Sequence, residues 1–175
     1  NHSFSNITID TDGVSTDNLG LFGGLIGYVS HLRIENITII GGYESDHLGG
    51  LCGYNNYSGK ISNCYATGSV IGGYDSDDLG GLCGGNYGTI SNCYTRGSVK
   101  GVHSSDYHGG LCGVNGGVIS NCYSTSSVNG GDDYLGGLCG YNSYSGKISN
   151  CYATGSVIGG IYSYGLGGLC GRNYF

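Results

Sequence analysis

Apolar residues recur along this chain in short, strictly alternating runs. In "CYATGSV" the small residues Cys64, Ala66, Gly68 and Val70 fall on one face, and Tyr65, Thr67 and Ser69 on the other. A period of two marks a half-buried strand. No apolar stripe of helical period appears, and glycine is too frequent for helix. The phase slips just before the run, since Ile61 would otherwise share a face with Tyr65. A corner at Asn63 repairs the slip, because asparagine tolerates the left-handed conformation that turns a strand. The pattern predicts an all-β chain of short strands joined by tight corners.

These strands come in repeats. One half-motif is G-L-x-G, at residues 24–27, 50–53, 81–84, 110–113, 137–140 and 168–171. The other reads [I/F]-[S/E]-N-[C/I], with its asparagine at Asn6, Asn36, Asn63, Asn92, Asn121 and Asn150. Full copies return after 26 to 31 residues, and the stretch from Leu48 to Gly73 recurs from Leu135 with only Asn56 replaced, by Ser143. One repeat cannot bury its own apolar face, so stacking must bury it against neighbours. The expectation is a single domain over residues 1–175. It is a β-solenoid (parallel β-helix) of about six coils, one repeat per coil, stapled by disulfides. The six asparagines would stack as one ladder of side-chain amides. Small inward residues predict a thin core with few large apolar side chains, rigidified by inter-coil hydrogen bonds and sulfur bridges.

G-L-C-G repeats in a glycine-rich chain resemble the Glug motif of bacterial IgA peptidases and large surface adhesins. The resemblance covers nearly the whole chain. It implies a surface or secreted repeat protein and brings no catalytic residues with it, any peptidase activity lying elsewhere in longer chains.

Composition narrows the partners. The chain has 39 Gly, 17 Tyr and 9 Cys, with no Pro, Met or Trp. Its net charge is −6 with six Lys+Arg and no basic cluster, which argues against nucleic acid. No stretch approaches the roughly 20 apolar residues of a membrane span. Absence of Met reads as a processed product or a stretch of a longer array. Regularly spaced cysteines without any C-x-x-C look structural and suggest an oxidising, extracellular or cell-surface setting.

Four repeats carry a cysteine in each half-motif, and in the repeat before them the spacing puts Ile26 and Ile37 at both places. Paired loss suggests paired residues. The favoured scheme is a bridge within each repeat: Cys52–Cys64, Cys83–Cys93, Cys112–Cys122 and Cys139–Cys151, leaving Cys170 unpaired. A set shifted to Cys64–Cys83 and onward, axial pairing of stacked positions, and buried free thiols remain as rivals.

The chain's two ends fit each other by count. From Leu169 to the Asn6 of a following copy there are 12 positions, as from Leu51 to Asn63. A junction of Asn1, Phe4, Asn6 and Ile7 with Leu169, Cys170, Asn173, Tyr174 and Phe175 would then complete a coil between subunits, with Cys170 facing Ile7. Uncapped solenoid edges invite such pairing, and a head-to-tail contact that does not close builds a fibre. A window of a longer tandem array would splice in phase as well.

Four acidic positions, Asp46, Asp77, Asp106 and Asp133, precede the Gly-Gly pairs at fixed distance. Solvated loop carboxylates are the first reading and a calcium column the second; no other cofactor or metal is expected. Tyr65, Tyr94, Tyr123 and Tyr152 form an outward column, which could bind surface glycans through ring faces or simply stack. His103 and His108 flank Asp106, a weak metal pattern. Sequons make Asn56 and Asn1 candidates for glycosylation, those at Asn6 and Asn36 clashing with a corner ladder. The functional expectation is an extracellular structural or adhesive solenoid without enzymatic activity, assembling head to tail. The alternatives are an adhesin or IgA-peptidase-like repeat stalk, and a carbohydrate-binding or carbohydrate-active β-helix.

Overall fold

A computed structural model describes residues 2–174. Asn1 and Phe175, both named for the chain junction, lie outside the described residues. The strands are all parallel and stack in register into a β-solenoid. Each coil lays down four strands, as in Leu48–Gly49, Cys52–Asn55, Lys60–Ser62 and Tyr65–Ile71; these positions define sheets I to IV. Among the described residues sheets I and III have five strands, sheet II six, and sheet IV nine because some of its strands are split.

The repeat motif follows from this geometry. Leu48 and Leu51 both point into the core and are fully buried, as are their successors Leu79 and Leu82. A Cβ at Gly49, between them, would clash with the Cys52 carbonyl and with Cα of Cys83 in the next coil. Only glycine lets the chain turn that tightly while the next coil packs on top. Within sheet IV the alternation holds: Ala66 and Val70 are buried, and Tyr65 and Thr67 face outward.

The core is fuller than small inward residues alone suggested. Leu48, Leu51, Ile61, Leu79, Leu82 and Ile90 are all completely buried. The L-G-G-L corner delivers two leucines per coil, except where His108 takes the first place, and sheet III adds an isoleucine. Packing of branched aliphatics is therefore a main source of cohesion, at about 1.5–3 kcal/mol for each fully buried side chain.

The first full coil departs from the others, and this corrects three expectations. Phe22, not Ile26, stands in register with Cys52, and Leu25 with Asn55. The structural equivalent of the motif is thus Gly20-Leu21-Phe22-Gly23, while the string at 24–27 runs on beyond it and leaves Ile26 exposed. Leu32, next to the Arg33 that pairs with Tyr65, occupies the Cys64 position, and Ile37 lies opposite Gly68. Loss of the two cysteines is real, but Phe22 and Leu32 replace them.

The expected single ladder of six asparagines resolves into two groups. All six have positive φ, from 52° to 56°, as a left-handed corner requires. Asn63, Asn92, Asn121 and Asn150 turn the chain from sheet III into sheet IV, and His31 (φ 54°) heads their column. Asn36 instead sits in a bulge between Ile34 and Ile37, bonded through Nδ2 to Oδ1 of Asn6 at 2.8 Å. The 12-residue splice count assumed Asn6 at the corner; because Asn6 belongs to the bulge, that count does not hold.

Candidate functional site

Side chains of equal rank in successive coils meet along the axis, so each surface feature is a column. On the outer face of sheet IV the rings of Tyr65, Tyr94, Tyr123 and Tyr152 stack at centroid distances of 4.6, 4.8 and 5.0 Å, with interplanar angles of 14°, 2° and 3°. Arg33 covers the lower end of the stack, 5.2 Å from the Tyr65 centroid. The Tyr65 hydroxyl donates to Oε1 of Glu35 at 2.8 Å. Partial desolvation, and then the bond to Glu35, push that phenol up to about 12.

This geometry changes what the tyrosine column can do. Ring faces are engaged with one another, which leaves ring edges and hydroxyls for solvent. A sugar stacking on a ring face finds one free only at Tyr152, 54% exposed at the end of the column. Beside the rings run Thr67, Arg96 and Thr125, then Ser69, Ser98 and Ser127, the Ser98 and Ser69 hydroxyls being 3.1 Å apart. Two shallow open depressions lie along the column, one bordered by Arg33, Asn63 and Tyr65, the other by Tyr94, Arg96, Tyr123 and Thr125. The surface is a flat, hydroxyl-rich array suited to hydrogen bonding.

The acidic column is built differently. Oδ1 of Asp17, Asp46, Asp77 and Asp106 each accepts the backbone N–H of the aspartate one coil on, at 3.0, 2.9, 2.7 and 3.0 Å. The carboxylates thus act as rungs between loops. Burial pushes Asp77 up to about 6, with Asp106, Asp46 and Asp75 adding repulsion against the favourable bond to the Asp106 amide. Burial also raises Asp78 well above its ordinary value, and its Oδ2 lies 3.1 Å from Nε2 of His47. Among the described residues no three His, Cys, Asp or Glu side chains converge to hold a metal. His103 is exposed and His108 is buried in the core, so the two do not flank a common point.

Cysteines form two axial columns. Cys52, Cys83, Cys112, Cys139 and Cys170 are in register in sheet II, and Cys64, Cys93, Cys122 and Cys151 lie at the corner into sheet IV. All nine are free thiols, which corrects the pairing Cys52–Cys64, Cys83–Cys93, Cys112–Cys122 and Cys139–Cys151. The two cysteines of a repeat belong to separate columns, because the arc between them carries a whole sheet III strand. Burial, and then the thiols of Cys139 and Cys83, push the Cys112 thiol well above its ordinary value.

One column escaped the sequence reading. Asn55, Asn86, Asn115 and Asn142 are buried, and each donates Nδ2 to Oδ1 of the asparagine one coil on, at 2.8, 2.7, 2.7 and 2.8 Å, ending at Asn173. The signal was present: every G-L-C-G is followed by x-N. Asn56, in the arc beyond Asn55, is half-buried and accepts the Ser58 amide at 3.3 Å. Of the remaining junction residues, Phe4, Leu169, Asn173 and Tyr174 are exposed, and Cys170 and Ile7 half-buried. A second aromatic surface joins Tyr107, Tyr134 and Tyr141, with Arg172 5.0 Å from the Tyr134 centroid.

No curated protein and no solved structure matches the chain. A family model described as the GLUG motif matches residues 45–71, 76–100 and 131–158. Each match ends with the last residue of a sheet IV strand, at Ile71, Lys100 and Ile158, so one motif corresponds to one coil. The chain carries GLUG-motif repeats at these three positions, and they fold as coils of a β-solenoid.

Proposed function

We propose that this chain is an extracellular structural or adhesive module, a rod that presents a hydroxyl-rich face and has no enzymatic role. The observation carrying the reading is that its chemistry runs along the axis. Asparagine amides, aspartate carboxylates and tyrosine rings each bind their counterparts in the next coil. An enzyme needs those groups turned toward a substrate, whereas a rod needs them turned toward each other. The resemblance to motifs of surface adhesins supports an external location, without calcium or another cofactor.

The exposed coil edges pair with further coils, by self-association or within a longer repeat stalk. Stacked in register, a second copy would place Leu19 on Leu166, Phe22 on Cys170, Leu25 on Asn173 and Phe4 on Ala153. Sheet III would lack a strand at that junction. A coil of the L-G-G-L-C-G-x-N type, with an asparagine above Asn173, continues every column and fits the edge better.

Electron microscopy of the purified chain, with intact mass, tests the assembly. Filaments of roughly 18-kDa subunits with an axial repeat near 29 Å, six strand spacings of about 4.8 Å, support self-stacking. Isolated rods leave only the repeat-stalk form. Incubation with polysaccharides tests the enzymatic alternative: turnover abolished by Asp77→Asn would overturn the structural reading. Glycan binding lost on Tyr152→Ala, with the fold intact, would place adhesion on sheet IV.

A further inference from the structure

Four cysteines of the sheet II column share one arrangement. Cys83, Cys112, Cys139 and Cys170 each direct Sγ to the carbonyl two residues ahead, at 3.3, 3.1, 3.4 and 3.0 Å. Cys52 does not. Its Sγ points along the axis to Sγ of Cys83, 3.5 Å away. Two cysteines in the same rotamer, one coil apart, would hold their sulfurs near the strand spacing of about 4.8 Å. The departure has a local cause, since the coil beneath places Phe22 and not a cysteine in the column, so Cys52 has a sulfur neighbour only above.

The corner column lacks any such pair. There the backbone N–H of Cys64, Cys93 and Cys122 donates to Sγ of the cysteine one coil on, at 3.4 Å. Each of these sulfurs also lies 3.1–3.2 Å from the carbonyl two residues before it. Pairing would break the carbonyl bond at every sulfur, and the amide bond as well at Cys93, Cys122 and Cys151.

We propose that Cys52 and Cys83 form an oxidisable pair, closed into a disulfide between successive coils by a low-molecular-weight disulfide such as oxidised glutathione. In-register residues on neighbouring parallel strands have a Cα separation within the range a disulfide spans. One cysteine thiolate attacks the glutathione disulfide, forming a mixed disulfide and releasing one glutathione thiolate. The other then displaces the second glutathione, and the S–S bond forms. The cysteine thiols' two protons and the two electrons end on two molecules of reduced glutathione. Both residues are fully buried in the finished coil stack, so the bond forms as the coils assemble. The bond would fasten the first cysteine-bearing coil to the coil above, where a one-dimensional stack is otherwise held by nearest neighbours.

The test is to refold the reduced full chain in a glutathione redox buffer, block free thiols with iodoacetamide, and digest with trypsin and chymotrypsin. Cuts after Lys60, Tyr65 and Tyr74 separate Cys52, Cys64 and Cys83 onto different peptides. The expected product is a pair of peptides joined through Cys52 and Cys83, two hydrogens lighter than their sum and lost on treatment with dithiothreitol. In Cys83→Ser, still showing a β circular dichroism spectrum, Cys52 should be recovered alkylated. Cys52 joined to Cys64 or any other cysteine, or fully alkylated in the parent chain, would overturn the proposal.

Discussion

Two columns of asparagines run along the solenoid, one inside sheet II and one at the corner before sheet IV. The inner residues, Asn55 to Asn142, are buried and bonded amide to amide at 2.7–2.8 Å. The corner residues Asn63, Asn92, Asn121 and Asn150 are exposed, and their one amide-to-amide bond, Asn150 Nδ2 to Asn121 Oδ1, is 3.3 Å long. The same residue thus serves two purposes. Inside, its side chain matters, since a buried amide needs partners for both its donor and its acceptor. At the corner its backbone matters, because φ near 52° is costly for most L-residues.

The largest break should come from the inner column. Asn86→Leu removes the acceptor of Asn55 and the donor of Asn115, leaving Nδ2 of Asn55 and Oδ1 of Asn115 only their longer bonds to the Gly59 carbonyl (3.4 Å) and the Gly117 amide (3.3 Å), and should cost about 3 kcal/mol in urea unfolding. Leu25 already shows the effect at the column's foot, where buried Oδ1 of Asn55 has no partner.

His108 sharpens the contrast as a buried polar residue without a ladder. It occupies the core position of Leu79, with neither ring nitrogen bonded. Burial pulls its pKa down to about 4. The unfolded imidazole therefore takes up a proton near pH 6.5 while the folded one does not, so stability drains as pH falls from about 6.5 toward 4. His108→Leu should add about 2 kcal/mol at neutral pH. That gain over the parent should grow by ~1.4 kcal/mol per pH unit across this window. Asp77, raised to about 6, has the opposite sign: its destabilisation is full above pH 6 and is relieved on acidification. It titrates in both proteins, so it cancels from the difference. A gain independent of pH would refute the buried neutral imidazole.

The corner column should yield the smallest effects. Asn92→Ala places a Cβ residue without asparagine's local bonding at positive φ and should cost about 1 kcal/mol. Asn92→Gly should change stability by only a few tenths of a kcal/mol. If Asn92→Gly cost as much as Asn86→Leu, the division between side-chain and backbone roles would fall.

Much of the fold was legible because stacking forces equivalent residues to recur. The repeat length, the alternation in "CYATGSV", the left-handed corners and the tyrosine column all follow from that rule. The first coil was misread because two overlapping strings match G-L-x-G, GLFG at 20–23 and GLIG at 24–27, and only the register picks the first. The cysteine pairing was misread because sequence distance suggested arms facing across an arc. The intervening sheet III strand directs them into different columns.

Sequence alone determined that this protein stacks, and which residues recur from coil to coil, because periodicity is a property of the chain. Tertiary structure decided what each column does. Whether an asparagine bonds its neighbour or only turns the backbone depends on where the coil places it relative to the core. Whether a tyrosine offers its face or its edge depends on the spacing between strands, about 4.8 Å, which brings the next ring over it.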